Sequence, residues 1–250
     1  MNLEFGILNP DRETVQWDPG SRSVVGMKKR TCGALVLEAE RSPDPDPEKA
    51  RKALLDGIHT LGVEGLPWSG MLRRWRCRMM FLRRTFPDRS WPDLSDETLM
   101  STLDSWLGPA MAGAVRLDDL DEESLKQALF SRCTWKQHRE LEQLAPPHLT
   151  VPSGNRKALD YSGEIPVLAV KLQEMFGCRN TPTVAGGTVP VLLHLLSPAG
   201  RPVQVTRDLE SFWQKGYESV KKELKGRYPR HPWPDDPLTA TPTAGAKRWT

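Results

Sequence analysis

The stretch Ser42-Pro43-Asp44-Pro45-Asp46-Pro47 separates two hydropathy patterns and thereby decides the fold class. Each proline fixes its own φ angle and keeps the preceding residue out of the α region, so the stretch is extended. Its end predicts a helix start, because Asp46 can cap free backbone N–H groups while Pro47 occupies the first helical position. We therefore expect β-structure before this linker and helices after it.

The segment before the linker is typical of short β-strands. Several valines occur in residues 13–17, 23–29 and 33–37. The turn signal Asp18-Pro19-Gly20 follows the first of these three ranges. Three short strands do not bury a hydrophobic core alone. Residues 1–42 are therefore interpreted as a β segment that either packs on the rest of the chain or belongs to a domain begun upstream.

Residues 46–145 are predicted to form a bundle of about five helices. The first is expected to end at Gly62, and the second to run over residues 68–86. Further helices are predicted from Ser95, Leu120 and Thr134. The apolar arc of the second helix consists of Leu72, Trp75, Met79, Leu82 and Phe86.

Residues 146–250 are predicted to form a mixed α+β domain with a barrel-like sheet. Several short β patterns precede a long helix that is expected to begin near Arg207 and to have Gly226 at its C-cap. Residues 227–237 contain four prolines interleaved with aromatics and are predicted to form an extended strap, and residues 239–250 a frayed end. The fold class is therefore α+β: a β segment, a helical bundle, and this C-terminal domain.

Composition excludes several classes of function. The 250 residues carry a net charge of +3 and contain 38% hydrophobic residues, with no apolar run long enough for a membrane span and no signal peptide pattern. We expect a cytoplasmic protein with no membrane partner. The four cysteines and five histidines lack metal-ligand spacing, so no metal site is predicted. The chain also lacks GxxxxGK[ST], GxGxxG and GxSxG motifs, which argues against an autonomous enzyme.

Basic residues cluster in the second predicted helix, where six arginines occur between residues 73 and 84 without an acid among them. Guanidinium groups on one face are suited to bidentate phosphate contacts, which predicts nucleic-acid binding. The alternative is internal ion pairing, because residues 93–123 are strongly acidic. The candidate phosphate contacts are Arg73, Arg76, Arg83, Arg84, Lys28, Lys29, Arg30, Lys215, Lys222, Lys225, Arg227 and Arg230.

Aromatic residues suggest a second kind of site. The apolar helical positions of Trp75, Trp106 and Trp213 predict core residues rather than stacking platforms. A preorganised proline and aromatic segment costs little entropy to bind, so the strap is an alternative site for docking a protein partner. Its candidate contact residues are Tyr228, His231 and Trp233.

Motifs along most of the chain resemble one family. The longest are Val189–Thr206 and the segment Lys222–Pro237, which includes Arg227-Tyr-Pro-Arg-His-Pro-Trp-Pro234. The chain resembles the C-terminal region of the HrpB family of bacterial ATP-dependent DExH-box helicases, over residues 13–243. Shorter matching motifs are Gly33–Leu37, Leu82–Pro87, Trp91–Asp96, His148–Gly154, Leu159–Tyr161, Pro166–Gly177 and Phe212-Trp213.

The resemblance implies an accessory role within a larger helicase. Such a helicase binds ATP and magnesium in an upstream core of two RecA-like lobes, so we expect no cofactor in this region and no activity from it alone. The resemblance also implies that residues 1–42 complete an OB-like unit, and that basic side chains help to close a channel over single-stranded RNA. The expected partners are single-stranded RNA or DNA, the upstream core and, as the alternative, another protein.

Overall fold

The computed structural model describes residues 12–32 and 35–245 and shows mixed α and β structure. Residues 1–11 of the predicted β segment, residues 33–34 of its third strand and residues 246–250 of the predicted frayed end lie outside the described residues. The described chain divides into two compact units. One comprises residues up to Arg73 and Pro92–Thr134, and the other comprises Arg74–Trp91 and the residues from Trp135 onward.

The first unit begins with an antiparallel sheet of three strands in the order β1-β2-β3. The strands are β1 (Arg12–Asp18), β2 (Ser23–Cys32) and β3 (Leu35–Ser42). The Asp18 carboxylate stabilises the turn after β1. It accepts hydrogen bonds from the Ser21 hydroxyl and from the Gly20 and Ser21 N–H groups, and these bonds lower its pKa. The predicted β segment and its turn are therefore confirmed over the described residues.

Helices follow the linker as the sequence predicts. The Asp46 carboxylate accepts a hydrogen bond from the Lys49 N–H at 3.0 Å, Pro47 is the first helical residue, and Gly62 ends the helix with φ of 74°. The helices between the linker and the second β region are α1 (Pro47–Leu61), α2 (Gly70–Thr85), α3 (Asp96–Ser101), α4 (Leu103–Leu107), α5 (Glu122–Phe130) and α6 (Trp135–Leu144).

The predicted third helix is interrupted at Thr102, which separates α3 from α4. The Thr102 hydroxyl donates a hydrogen bond of 2.6 Å to the Thr98 carbonyl. The φ angle of Thr102 is −112°, which lies outside the α-helical range. A threonine that bonds back to the preceding turn competes with the regular backbone hydrogen bonds. The apolar residues Leu99, Leu103 and Trp106 are nevertheless buried, as their spacing predicts.

The second unit contains a five-stranded sheet in the order β10-β9-β6-β5-β4, in which β6 and β9 run parallel. Its two edge strands, β4 and β10, do not pair with each other. Among the described strands the expected barrel-like closure is therefore absent, and the sheet is open. The strands of this unit are β4 (His148–Thr150), β5 (Arg156–Asp160), β6 (Val167–Lys171), β7 (Thr183–Val184), β8 (Val189–Pro190), β9 (Leu192–Leu196) and β10 (Pro202–Thr206).

The long C-terminal helix contains a π-helical turn between two α-helical parts. α7 spans Leu209–Ser211, the π turn spans Phe212–Gly216, and α8 spans Tyr217–Arg227. Gly216 is required by close packing, since a Cβ atom there would lie 2.8 Å from the Phe212 ring. The predicted C-cap at Gly226 is wrong, because the helix continues through Arg227. The predicted apolar face is buried: Leu209, Phe212, Trp213, Tyr217, Val220 and Leu224.

The residues after α8 lie against the second unit. The Tyr217 hydroxyl donates to the Pro234 carbonyl at 2.9 Å, and the Gly177 N–H donates to the Pro237 carbonyl at 3.0 Å. Further on, the Thr243 N–H donates to the Gln173 carbonyl. The strap is thus attached to the unit through backbone carbonyl groups, which proline retains although it has no N–H.

Candidate nucleic-acid interface

Arg73, the first of the candidate phosphate contacts on α2, is half exposed and paired within the first unit. Its guanidinium lies 2.5 Å from a Glu64 carboxylate oxygen and 5.9 Å from the centre of the Trp68 ring. The acid that pairs with it belongs to the turn before α2 and not to the acidic stretch of residues 93–123. The alternative of internal ion pairing therefore has a structural basis at Arg73, with a different acid from the expected ones.

Arg83 and Arg84 lie exposed in the last turn of α2, within the second unit. An Arg83 nitrogen donates to the Trp91 carbonyl at 3.0 Å, and an Arg84 nitrogen donates to the Gly163 carbonyl at 3.0 Å. Arg76 is half-buried. A carbonyl is neutral, so the bond to Gly163 orients the Arg84 guanidinium without cancelling its charge.

Arg78 has a structural role on α2. Its side chain is only 8% exposed, and its Nε donates to the Ala145 carbonyl at 2.6 Å. A second nitrogen reaches the Leu141 carbonyl at 3.4 Å and a Glu142 oxygen at 2.7 Å. The last carbonyls of a helix lack partners within the helix and carry partial negative charge. Arg78 therefore caps the C-terminal end of α6.

The candidates on β2 lie between acidic residues of the neighbouring strands. Lys28 is exposed, and its register neighbours are Glu13 on β1 and Glu40 on β3. Lys29 is also exposed, whereas the Arg30 side chain lies outside what the structure describes. A lysine flanked by two glutamates attracts phosphate less strongly than an isolated lysine does. This strand therefore has weaker local support as a phosphate site than α2.

The C-terminal candidates are all on the surface of α8 or its neighbouring segments: Lys215, Lys222, Lys225, Arg227 and Arg230. The neighbouring Lys221 is 8% exposed and is instead part of the fold. Its ammonium lies 2.6 Å from an Asp235 oxygen and 3.1 Å from a Glu218 oxygen. The hydrogen bond to Lys221 lowers the pKa of Asp235, and the same bond raises the pKa of Lys221.

The strap presents its candidate residues unequally. Trp233 is buried, and its indole N–H donates to the Tyr228 carbonyl at 2.9 Å. Tyr228 and His231 are half-buried and lie edge to face, with ring centres 6.3 Å apart. Burial and the neighbouring Lys171 lower the pKa of His231, which favours its neutral form. Docking of a protein on the strap stays a prediction, and Trp233 is occupied within the fold.

A buried polar cluster, not anticipated from the sequence, surrounds Glu174. This side chain is 0% exposed, and its carboxylate lies 2.7 Å from the Lys157 ammonium. It also accepts hydrogen bonds from Asn155 at 2.6 Å and Ser153 at 3.2 Å. Burial opposes ionisation of Glu174, but these partners outweigh it and lower the pKa overall. The cluster holds the turn between β4 and β5 against the segment after β6.

Among the described tryptophans, Trp135 differs clearly in exposure from the three that are predicted to be core residues. Trp75, Trp106 and Trp213 are at most 6% exposed, so their prediction as core residues is confirmed. Trp135, at the start of α6, is 75% exposed. The Arg139 guanidinium lies 5.6 Å from the centre of the Trp135 ring. Neither Trp135 nor Arg139 belongs to the motifs or charge clusters that the sequence pattern indicates.

The described histidines, cysteines and acids give two observations that concern metal and thiol chemistry. No group of three or more histidine, cysteine, aspartate or glutamate residues there is arranged to hold a metal ion. Burial raises the pKa of the Cys133 thiol to about 11 and also raises that of Cys178. Such thiols stay protonated near neutral pH and are poor nucleophiles. No helix among the described residues is long and apolar enough to cross a membrane.

The chain is similar to known proteins over most of its length. The profile of the HrpB family described as "ATP-dependent helicase C-terminal" matches residues 106–237. The chain is also 38% identical over 239 residues to the ATP-dependent RNA helicase HrpB of Escherichia coli strain K12, which covers 95% of this chain. The chain belongs to the HrpB family. It spans 30% of the length of that relative.

Two solved structures extend the HrpB relationship to three dimensions. A crystal structure of the E. coli DExH-box NTPase HrpB matches with a TM-score of 0.76 and 38% identity, over 93% of this chain and 29% of that one. A crystal structure of the E. coli DEAH/RHA helicase HrpB matches with a TM-score of 0.66 and 36% identity, over 90% and 28% of the two chains. The family assignment from motifs is therefore confirmed.

Proposed function

We propose that this HrpB region is an accessory part of an ATP-dependent DExH-box RNA helicase and contacts single-stranded nucleic acid in the channel of the enzyme. The relatives are named as helicases, and the residues matched here form less than a third of their length. ATP and magnesium would be bound by the upstream core, because the phosphate-binding loop motif is absent from this sequence. The region alone would then lack ATPase activity.

The charge of Arg84 is the observation that carries the proposal. Its guanidinium is exposed and is oriented by the neutral Gly163 carbonyl. A guanidinium has five N–H donors, so one bond to a carbonyl leaves capacity for a bidentate phosphate contact. Orientation before binding also reduces the entropy lost when phosphate is bound.

The other arginines on α2 contribute according to their surroundings. Arg76 and Arg83 are seven residues apart and therefore about 10 Å apart along the helix axis, on the same side. This separation suits an extended, repeating anion better than a single phosphate. Arg73 belongs to the first unit and is paired with Glu64, so its contribution to binding should be the smallest of the four.

A charge-matched comparison tests the proposal. The quadruple variant R73Q/R76Q/R83Q/R84Q is compared with K52Q/R179Q/R201Q/R207Q, which removes four exposed positive charges elsewhere. Binding of both variants to a fluorescent single-stranded oligouridylate is measured by anisotropy over a range of salt concentrations. Four lost phosphate contacts would reduce the slope of log affinity against log salt by about 3.

Specific contact on α2 requires the first variant to lose more affinity and more salt dependence than the second. Equal losses of affinity in both variants would show that only the net charge matters. An unchanged affinity in the first variant would show that α2 does not contact the nucleic acid. Circular dichroism and thermal unfolding of both variants show that the fold is retained. ATP hydrolysis measured in the same samples tests the expected absence of activity in the isolated region.

A further inference from the structure

We propose that Trp135 and Arg139 form a base-stacking site for single-stranded nucleic acid on the exposed side of α6. This site is distinct from the arginines of α2 and would add contacts to bases, whereas those arginines would contact phosphates. The inference rests on the proposed binding of nucleic acid by this region. It follows from the exposure of one indole, its cationic neighbours and the lack of an acid in the first turn of the helix.

The exposure of Trp135 is not explained by packing within the protein. Tryptophan is highly buried on average, and it is enriched among the residues that contribute most to binding. Trp135 remains 75% exposed although Arg139 lies near its ring. Every nucleobase has a planar π face, so an exposed indole can stack on any base irrespective of sequence.

The charges beside Trp135 favour a polyanion over a protein partner with an apolar surface. Lys136 follows Trp135 directly and has a side chain that is 83% exposed. Arg139 lies one helical turn further on and is also exposed. An indole that supplies stacking, with an ammonium and a guanidinium near it for the backbone, is the combination that single-stranded nucleic-acid sites use.

The charge order along α6 is the reverse of what stabilises a helix. Acidic residues are favoured near a helix N-terminus and basic residues near its C-terminus, because of the helix dipole. The first turn of α6 has no acid and its last turn has no base. By contrast, α1, α3 and α5 each begin with an acidic residue in the first turn. Lys136 therefore lies unfavourably for the helix dipole, although its ammonium is 3.9 Å from a Glu140 carboxylate oxygen.

A second aromatic and cation pair lies on the segment that contacts the start of α6. The Arg89 guanidinium is 4.3 Å from the centre of the Phe86 ring. The Gln137 side-chain amide donates to the Ser90 carbonyl at 2.5 Å, which joins the residue after Arg89 to the first turn of α6. The turn that follows α2 thus lies against the first turn of α6 and carries a positive charge and an aromatic ring.

The decisive experiment separates bases from phosphates. The 250-residue chain and its W135A and W135F variants are titrated with a fluorescent oligouridylate and with an abasic strand of the same length and backbone. We expect W135A to bind oligouridylate about tenfold more weakly. W135F should retain most of the affinity, because it keeps an aromatic ring. All three proteins should bind the abasic strand equally.

Other outcomes distinguish this inference from the proposed role of α2. If W135A binds oligouridylate as the wild type does, base stacking at Trp135 is wrong and the exposed indole is left as an anchor for a protein. If W135A loses the same affinity for both strands, the indole only supports neighbouring charges and the inference also fails. The R73Q/R76Q/R83Q/R84Q variant should instead lose affinity for both strands, so failure of α2 and failure of Trp135 give different results.

Two controls test whether a loss of affinity in W135A comes from exposed apolar surface in general or from unfolding. V205A removes another exposed apolar side chain of the same unit and should leave both affinities unchanged. Because Trp135 is exposed, W135A should unfold at nearly the wild-type temperature. A loss of affinity in V205A equal to that in W135A would show that exposed apolar surface in general, and not the indole, is responsible, and would overturn the inference.

Discussion

Cationic side chains lie at both ends of α6, but they are buried at one end and exposed at the other. At the C-terminal end the buried Arg78 supplies donors to the carbonyls of Leu141 and Ala145. At the N-terminal end Lys136 and Arg139 are exposed beside an exposed indole. Residue type alone therefore does not assign a role to a charge. The partner of the charge and its place along the helix dipole do so.

The same distinction applies within the second unit as a whole. Lys157 and Lys221 contact carboxylates at 2.7 Å and 2.6 Å, and each joins segments that are distant along the chain. Arg84, which is proposed to bind nucleic acid, lies instead on the surface with a neutral partner. Removing a base of the first kind should lower stability, whereas removing one of the second kind should lower binding.

The largest effect on stability is expected from R78M. The substitution leaves the carbonyls at the end of α6 without their donor in a buried position, and it should lower the free energy of unfolding by roughly 3 kcal/mol. Urea denaturation followed by circular dichroism measures the change. R74M is the matched control, because Arg74 lies exposed on the same helix. Equal losses of stability in the two variants would contradict the assignment of Arg78 as a cap.

The second-largest effect on the free energy of unfolding is expected from E174Q, and it should depend on pH. E174Q removes the charge that holds Lys157 and should cost about 2 kcal/mol at neutral pH. In the wild type the folded-state pKa of Glu174 is lowered, so its ionisation stabilises the fold above the unfolded pKa of about 4.3. That contribution is lost as pH falls through the folded pKa. The difference in unfolding free energy between wild type and E174Q should therefore shrink in acid, and a constant difference would exclude ionisation as its cause.

The position of the strap should be sensitive to Asp235. D235N removes the carboxylate that pairs with Lys221, while the bond from Tyr217 to the Pro234 carbonyl remains. We expect the strap to be cleaved faster by a protease within residues 227–237, with little change in the unfolding temperature of the rest. D236N is the control, since the Lys221 ammonium contacts Asp235 and not its neighbour. Equal cleavage rates in wild type and D235N would show that the ion pair does not hold the strap.

Helix ends that depend on neighbouring residues are predicted correctly from the sequence. The cap at Asp46 and the end at Gly62 depend on neighbouring residues, and both are found. Helical spacing also indicates Arg78, which is three residues after Trp75 and four before Leu82 and so lies on the buried arc. Trp135 is six residues before Leu141, which places it about 120° from the buried face of α6. Both residues can thus be found by applying the periodicity to polar and aromatic positions as well.

Contacts between distant segments account for what the sequence does not predict. β6 pairs with β9 in parallel across an intervening hairpin of β7 and β8, and no local pattern indicates that pairing or the open edges of the sheet. The partner of the buried Lys221 also depends on the fold, because Asp235 lies 14 residues further along the chain. The candidate phosphate contacts can be proposed from charge, but their carbonyl partners, such as Gly163, require the fold.

The smallest effect is expected from an exchange of two charges on α6, which should change stability and nucleic-acid binding in opposite directions. K136E/E140K exchanges the two charges of an existing pair, whose atoms are 3.9 Å apart, without changing net charge or composition. The exchange places the acid near the helix N-terminus and the base toward the C-terminus, the favoured order for both the dipole and the pair, so the fold should gain about 0.5 kcal/mol. Binding of oligouridylate should weaken, since a negative charge then lies beside Trp135. Paired urea denaturation and anisotropy titrations measure the two changes. A gain in stability without a loss of binding would show that the reversed charge order of α6 does not serve nucleic acid, even if Trp135 itself stacks on bases.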